Sequence, residues 1–270
     1  MPTVKDDRGY LIWAIGKEYL ECAVTCAKSI RFHTPDAKIA LLSDCHDDVD
    51  YGVFDYIETF PYPVNYNNLF ANDWQVFYAS PFRETIKIEA DMIVPHSIDH
   101  WWLMFEKRDV VLTTKARNWQ NQIITNRTYR KIFDANDLPD VYNAITYWRL
   151  SKEAKNFFDL VRNLFDNWNR VQTQIKMGMN DDGTTDLVYA IAAKMIGIDK
   201  VTLPNTTYPS IIHMKGKVNN LIGEDWTKEL VWEFDGPQVR INTIDQEYPF
   251  HYYIKDFNKK LKEYYHDKFF

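Results

Sequence analysis

The sequence predicts an α/β protein with a mostly parallel, doubly wound sheet flanked by helices. Short apolar runs rich in β-branched residues alternate with segments of helical period in the first half of the chain. The 270 residues, 46% of them hydrophobic, suffice for one large domain or two small ones. Polar residues directly follow several of the apolar runs, where ligands bind in such sheets.

The first half of the chain follows a β-α-β order. Strands are expected at 10–15, 37–42, 56–60, 84–88 and 110–113. A helix is expected at 17–33, because apolar residues recur there three and four positions apart, and two shorter helices are expected at 73–79 and 98–105. Pro35 ends the first helix, and Pro61 weakens the third strand.

The second half is less regular. Strands are expected at 144–150, 210–212, 230–234 and 239–241, and helices at 152–168, 187–196 and 253–269. Ser151 is a suitable N-cap for the helix that follows it, and Gly197 is placed to end the helix before it. We see no Gly/Ser linker, which predicts one domain over 1–250 with a C-terminal helical extension at 251–270.

Composition bounds the function. The net charge of −6 gives no global footprint for nucleic acid, although it leaves room for a local basic patch. The three cysteines, Cys22, Cys26 and Cys45, form no Cys-x-x-Cys pair, which favours reduced core thiols over a zinc site. The charged N-terminus does not resemble a signal peptide, and no apolar run approaches the ~20 residues of a membrane span. We therefore expect a soluble, cytoplasmic protein.

Two carboxylates, Glu89 and Asp91, follow the strand expected at 84–88 and are separated by one residue. Such a pair can hold a hard divalent cation, and Mg²⁺ in particular usually shares its coordination shell with substrate phosphates. The pair predicts a Mn²⁺ or Mg²⁺ site for a phosphorylated donor. A solvated loop after a strand is the alternative explanation of the same pattern.

A second motif, Ile211-Ile212-His213-Met214-Lys215-Gly216-Lys217, strengthens the metal hypothesis. A neutral imidazole at His213 can complete a metal shell that two carboxylates begin. Gly216 lets the backbone approach a phosphate, and Lys217 supplies positive charge to a diphosphate. Together with Glu89 and Asp91, this motif favours a ligand over a structural histidine.

These motifs, in this order over residues 9 to 220, resemble the retaining GT-A glycosyltransferases, in particular the glycogenin-like family 8. The resemblance implies a Rossmann-like fold for nucleotide-diphospho-sugars. It also implies a set of residues that contact the donor or its metal. By this resemblance, the base contacts Ile15, Gly16 and Tyr19. The metal binds Glu89, Asp91 and His213. The phosphates contact Gly216 and Lys217, and the ribose lies within reach of Glu89.

The resemblance extends to the sugar end of the site. Asn143, in the sequence Tyr142-Asn-Ala-Ile-Thr-Tyr, matches the sugar-facing strand, and Asp186 matches the acidic residue at a helix start. The implied activity is metal-dependent transfer of a hexose or pentose from a nucleotide-sugar, most simply a UDP-sugar, with retention. Glu89 replaces the first aspartate of the family motif, and no Pro-Trp follows Lys217.

The acceptor is open: a glycan, a lipid-linked glycan, a protein, a small molecule or a modified DNA base. Compact enzymes of this kind encoded by bacteriophages glycosylate hydroxymethylated cytosine, and such an enzyme would act in the host cytoplasm. The segment between Asp91 and Asn143 interleaves basic and aromatic residues and fits either a nucleic-acid platform or a solvated loop. Its members are Lys115, Arg117, Trp119, Arg127, Arg130 and Lys131.

Several features of the sequence allow two explanations. Trp74, Trp101 and Trp102 suit either sugar stacking or the core, and the basic aromatic tail that includes Lys255 suits either a membrane surface or a packing helix. A catalytically weak nucleotide-sugar-binding module is an alternative function. A nucleotidyltransferase is another, although residues 14–18 contain too little glycine for its usual loop.

Overall fold

The computed structural model describes residues 3–45, 51–178, 182–203, 209–235 and 238–269. The strands within these ranges are β1 (Asp6–Ala14), β2 (Ile39–Ser43), β3 (Tyr56–Glu58), β4 (Phe82–Glu89), β5 (Met92–Ile93), β6 (Val110–Thr113), β7 (Tyr142–Arg149), β8 (Ile212–His213), β9 (Trp232–Asp235), β10 (Gln238–Ile241), β11 (Ile244–Asp245) and β12 (Phe250–His251). The helices are α1 (Lys17–His33), α2 (Val76–Ala79), α3 (His100–Phe105), α4 (Lys131–Ala135), α5 (Lys152–Asp166), α6 (Trp168–Val171), α7 (Thr185–Ile196) and α8 (Phe257–Phe269). Short 3-10 helices lie at Tyr51–Val53, Leu69–Gln75, Ile198–Lys200, Gly216–Val218 and Trp226–Lys228.

The central sheet has the strand order β3-β2-β1-β4-β7-β6 within the described ranges. Strands β3, β2, β1 and β4 pair in parallel, whereas β7 runs antiparallel to both β4 and β6. The α/β class with a mostly parallel sheet between helices, which the sequence predicts, is therefore confirmed. Because β7 is reversed, it begins at the edge where β1 and β4 end.

The two faces of the sheet carry separate hydrophobic cores. Leu11 and Ile12 are both fully buried but belong to opposite cores, as the period of two in a strand requires. Side chains of α1, α3 and α8 cover one face, and side chains of α5 and α7 cover the other. Trp74, Trp101 and Trp102 are buried in these cores, which supports core packing for all three.

Helix ends follow the sequence signals closely. The Ser151 hydroxyl accepts a hydrogen bond from the Ala154 backbone N–H at 3.1 Å, as expected of an N-cap. Gly197 adopts a φ of 108° at the end of α7, a conformation that glycine adopts without strain. The predicted helix at 73–79 is divided between a 3-10 helix and α2, and the final helix begins at Phe257 rather than at 253.

A second, small sheet joins distant parts of the chain beside the central one. Strand β12 pairs antiparallel with β5 and parallel with β8. The predicted domain boundary between 250 and 251 lies within β12. Helix α8 follows and packs on α1, with Phe257, Leu261 and Tyr265 buried at helical spacing. No helix of the described ranges combines the length and apolarity that crossing a membrane requires.

Candidate active site

A cavity of about 630 Å³ opens at the sheet edge where β1 and β4 end and β7 begins. This volume is in the range of small-molecule sites. Its lining includes seven of the ten residues proposed from the sequence: Ile15, Tyr19, Glu89, Asp91, Asn143, Asp186 and His213. The other three, Gly16, Gly216 and Lys217, are not among the residues that line it.

Three side chains converge at one end of this cavity. Oxygen atoms of Glu89 and Asp91 and a ring nitrogen of His251 lie within 4.8 Å of one another. His251 Nε2 is 3.0 Å from Asp91 Oδ2 and 3.9 Å from Glu89 Oε2. Two carboxylates and one imidazole are a donor set that suits Mn²⁺ or Mg²⁺ and leaves coordination positions for a ligand. These residues therefore fit the metal that the sequence predicts.

The local fold explains the convergence. Glu89 is the last residue of β4, and Asp91 directly precedes β5 after a one-residue turn. In the small sheet, His251 of β12 is paired with Met92 of β5, the residue next to Asp91. Backbone pairing thus brings an imidazole from near the end of the chain to the two carboxylates.

Burial and neighbouring charges shift the pKa values of the residues in this cluster. Burial raises the pKa of Glu89, and the nearby charges of Lys87 and His251 offset this increase only in part. Burial alone would also raise the pKa of Asp91, but His251 and Lys255 outweigh it and hold that pKa well below its usual range. Conversely, burial opposes protonation of His251, yet the charge and hydrogen bond of Asp91 raise its pKa. Without a cation, the cluster is therefore a network of ion pairs.

The sequence-predicted histidine occupies a neighbouring position. The imidazole that meets the two carboxylates is that of His251, whereas the prediction named His213. The His213 ring stacks on the His251 ring, with centroids 4.9 Å apart and an interplanar angle of 25°. Their Nδ1 atoms are 3.0 Å apart. Burial, with further contributions from the charges of His251 and Arg130, lowers the pKa of His213.

The lysines at the cavity also differ from the predicted one. Lys215 and Lys255 line it, and the ammonium of Lys255 forms an ion pair with Asp91. Lys217 is exposed, and its backbone carbonyl accepts a hydrogen bond from Asn126. A Cβ on Gly216 would lie 2.0 Å from the carbonyl oxygen of Gly223, so glycine is needed there for backbone packing.

The opposite wall of the cavity is built around Asp186 and Asn143. Asp186 Oδ1 accepts from the Asn143 backbone N–H at 2.7 Å, and Asp186 Oδ2 accepts from Arg130 at 2.7 Å. Arg130 is 2% exposed, and its guanidinium carbon lies over the Tyr142 ring, 3.7 Å from the centroid. The Asn143 side chain accepts from Thr146 through Oδ1, while its buried Nδ2 has no hydrogen-bond partner among the described residues. Asn143 therefore offers an unused donor at the cavity wall.

The end predicted to hold the base is formed by the β1–α1 connection. Ile15 is buried and Tyr19 is 38% exposed, and both line the cavity. The Lys255 ammonium lies 4.7 Å from the Tyr19 ring centroid, which links this end to the metal cluster. Gly16 has a φ of 81° and donates its N–H to Asp44 at 2.9 Å, so it shapes the turn that leads into α1.

The basic aromatic segment between Asp91 and Asn143 has mostly internal partners. Arg117 bonds Ser210 and the Asn121 carbonyl, and Arg127 pairs with two aspartates. Arg130 is buried, as described above. These three arginines are consequently engaged within the fold rather than arrayed as a platform for nucleic acid.

Three functional candidates were missed by the motif reasoning: His251, Lys255 and Arg130. A signal for the first two was present, because a histidine and a lysine four positions apart follow a short apolar stretch. Both residues were instead assigned to the C-terminal helical extension predicted at 251–270. The burial of Arg130 has no local signature, since it depends on rings supplied by α4 and β7.

No protein-family model matches the chain, and no curated protein matches it either. Solved structures share part of its fold. The galactosyltransferase LgtC in complex with donor and acceptor sugar analogues has 12% identity and a TM-score of 0.47, over 69% of this chain and 70% of that one. The glycosyltransferase GlyE of Streptococcus pneumoniae TIGR4 has 12% identity and a TM-score of 0.42, over 73% and 45%. Mouse xyloside xylosyltransferase 1 in its apo form has 10% identity and a TM-score of 0.43, over 72% and 82%. The likeness to these glycosyl-, galactosyl- and xylosyltransferases concerns the fold alone.

Proposed function

We propose that the chain is a metal-dependent glycosyltransferase of GT-A type that takes its sugar from a nucleotide-sugar donor. The observation that carries this proposal is the convergence of Glu89, Asp91 and His251 at the ends of sheet strands. Lys255 reaches the same point, so a cation site and a built-in positive charge lie side by side. This combination suits a diphosphate, whose oxygens can bind the metal and a lysine at once.

The cavity offers complementary chemistry for each part of such a donor. Ile15 and Tyr19 provide an apolar surface and a ring for the base. The cation, when bound, would neutralise negative charge on the departing nucleoside diphosphate. Lys255 adds positive charge at the same place. Nδ2 of Asn143, which has no acceptor among the residues that the structure describes, donates to a sugar hydroxyl. A UDP-sugar is the donor we propose to test first.

In the transfer, the bond between the anomeric carbon and the diphosphate oxygen breaks, and a bond from the acceptor oxygen to that carbon forms. We propose that the configuration is retained, with the leaving phosphate taking the acceptor's proton. Both oxygens of Asp186 are already engaged by Asn143 and Arg130. Asp186 accordingly orients the sugar-binding wall instead of attacking the anomeric carbon.

The proposal is tested by donor binding with and without metal. The full chain is heated with a panel of nucleotide-sugars in Mn²⁺, in Mg²⁺ or in EDTA, and slow hydrolysis of each donor is followed in parallel. A ligand that binds the native state raises the unfolding temperature by mass action. We expect one nucleotide-sugar to give a shift that requires the cation and to be slowly hydrolysed.

Matched variants sharpen this test. Asp91→Asn and His251→Gln should remove the cation-dependent shift, whereas Asp7→Asn, at a carboxylate whose side chain is 93% exposed, should keep it. A donor that binds equally well in EDTA would refute the metal dependence. If binding occurs without hydrolysis or transfer to any acceptor class, from glycans and lipid-linked glycans to proteins and hydroxymethylcytosine DNA, the binding-module alternative is correct.

A further inference from the structure

Two histidines lie side by side next to the carboxylate cluster. Strands β8 and β12 pair in parallel with His213 directly opposite His251. Because cross-strand neighbours point to the same face of a sheet, their rings stack and their Nδ1 atoms come within 3.0 Å. Both side chains are buried, so each polar ring atom needs a partner within the protein or a ligand.

The contact between the two rings fixes the roles of their nitrogens. At 3.0 Å, one Nδ1 must donate and the other must accept. His251 Nε2 is the atom that faces Asp91 and Glu89. For that nitrogen to bind a cation, it must carry no proton, and the single proton of a neutral His251 must then be on Nδ1. His213 Nδ1 is consequently the acceptor.

We propose that His213 is a positioning residue for His251: its Nδ1 accepts the Nδ1–H of His251 and so presents Nε2 to the cation. This inference rests on the metal-dependent function proposed above. Metal-bound histidines commonly donate their second N–H to a carboxylate, a carbonyl or water, and loss of that partner weakens metal binding. Here the partner is a second imidazole.

His213 is itself firmly held, as a positioning role requires. Its backbone N–H donates to the Arg117 carbonyl at 2.8 Å, and its own carbonyl accepts from Asn219 Nδ2 at 2.8 Å. The Tyr142 ring contacts its imidazole edge-on, with centroids 6.0 Å apart. The acceptor nitrogen is thus fixed by β-sheet pairing, a side-chain amide and an aromatic wall.

The test measures Mn²⁺ binding to the full chain by calorimetry and by electron paramagnetic resonance, in the absence of donor. His213→Phe keeps a planar ring but removes the acceptor, whereas His213→Gln supplies an amide oxygen that can accept the same proton. We expect His213→Phe to weaken Mn²⁺ binding about 10-fold to 100-fold. His213→Gln should recover most of this loss, and His251→Phe should bind more weakly than either.

Each alternative outcome overturns a different statement. If the wild-type chain binds no Mn²⁺, the proposed metal-dependent function fails, and this inference fails with it. If the wild type binds Mn²⁺ and His213→Phe binds it equally well, only the positioning role is refuted. If His213→Gln and His213→Phe both lose binding as completely as His251→Phe, His213 is a ligand rather than a positioning residue.

A direct measurement covers the case in which His213→Phe does not fold. The ¹⁵N shifts of the wild-type histidines with diamagnetic Mg²⁺ report which ring nitrogen carries the proton. We expect His251 to carry it on Nδ1 and His213 on Nε2. The opposite arrangement, with the proton on His213 Nδ1, would refute the inference.

Discussion

The Lys87 ammonium lies 2.8 Å from the Asp73 carboxylate, and neither side chain has any solvent exposure. Lys87 belongs to β4, two residues before Glu89, and it also donates to the Asn143 carbonyl at 2.8 Å. The second oxygen of Asp73 accepts from the hydroxyl of Tyr189 on α7. This buried network therefore connects β4, which ends in Glu89, to β7 and α7, which carry Asn143 and Asp186 at the opposite wall of the cavity.

Removing the lysine should destabilise the fold strongly. Among the described residues, Lys87→Met leaves the buried Asp73 carboxylate with Tyr189 as its one side-chain partner. Breaking such a pair costs about 3–5 kcal/mol. The measurement is the free energy of unfolding by urea denaturation in EDTA, which excludes any contribution from metal binding.

The control for this prediction is Lys155→Met, which breaks the more exposed pair of Lys155 with Asp159. That variant should unfold close to the wild type, because exposed pairs contribute little. Equal losses for the two variants would show that the Lys87–Asp73 pair has no special weight.

The sequence points to Lys217 as the lysine at the phosphates, whereas the structure points to Lys255, and this difference gives a second prediction. Lys255→Met should weaken nucleotide-sugar binding in saturating Mn²⁺ about 10-fold to 100-fold, the effect of losing a charged hydrogen bond. Lys217→Met should leave the affinity unchanged, because Lys217 is exposed and outside the cavity lining. Calorimetric titration with the donor identified by thermal shift checks both. The reverse ranking would restore the motif-based assignment.

The sequence predicted two of the three residues of the candidate metal cluster and not the third. Glu89 and Asp91 are neighbours that follow an unmistakable buried strand, so a local pattern is enough to find them. His251 is 160 residues from Asp91, in a strand of only two residues. Its approach to Asp91 depends on the pairing of β12 with β5 and β8. These strands are too short to show a periodic pattern in the sequence, and they are far apart along the chain.

The orientation of β7 could not be predicted from the sequence either. Its apolar run is the same whether the strand runs up or down the sheet, yet only the antiparallel arrangement starts the strand at the cavity. Asn143 and Asp186 came from the family resemblance and lie together at that edge. Lys217 came from the motif around His213 and from the same resemblance, but it is exposed in the 3-10 helix Gly216–Val218 and lies outside the cavity lining.

The raised pKa of His251 gives a pH dependence with two opposite signs. In EDTA, its ion pair with Asp91 stabilises the fold fully below pH 6.5, where the imidazole is also protonated in the unfolded chain. That contribution is lost as the pH rises through the higher folded-state pKa. Mn²⁺ needs the neutral imidazole, so metal affinity should rise over the same pH range.

Unfolding temperatures recorded from pH 6 to about pH 8.5, with EDTA and with Mn²⁺, test this pair of trends. The stabilisation by Mn²⁺ should grow with pH, while the metal-free protein loses part of its stability. His251→Gln separates this residue from Glu89, whose raised pKa acts on stability in the same direction. The trends should be much weaker in that variant, and their full persistence would exclude His251 as their source.

The free amide of Asn143 provides the last prediction. Within the described part of the chain its buried Nδ2 has no acceptor, although the residue is only 1% exposed, so a bound sugar hydroxyl would satisfy it. Asn143→Ala should lower kcat/KM for donor hydrolysis by roughly 2-fold to 10-fold, the net value of one neutral hydrogen bond.

The matched control is Thr146→Val, which removes the Thr146 hydroxyl that donates to Asn143 Oδ1 at 2.9 Å and leaves the amide donor in place. It should change kcat/KM less than Asn143→Ala does. If the donor's sugar lies elsewhere, both variants will keep wild-type kinetics, since neither residue would then touch the substrate. If Thr146→Val is the more damaging of the two, Asn143 matters for the packing of β7 and not for the sugar.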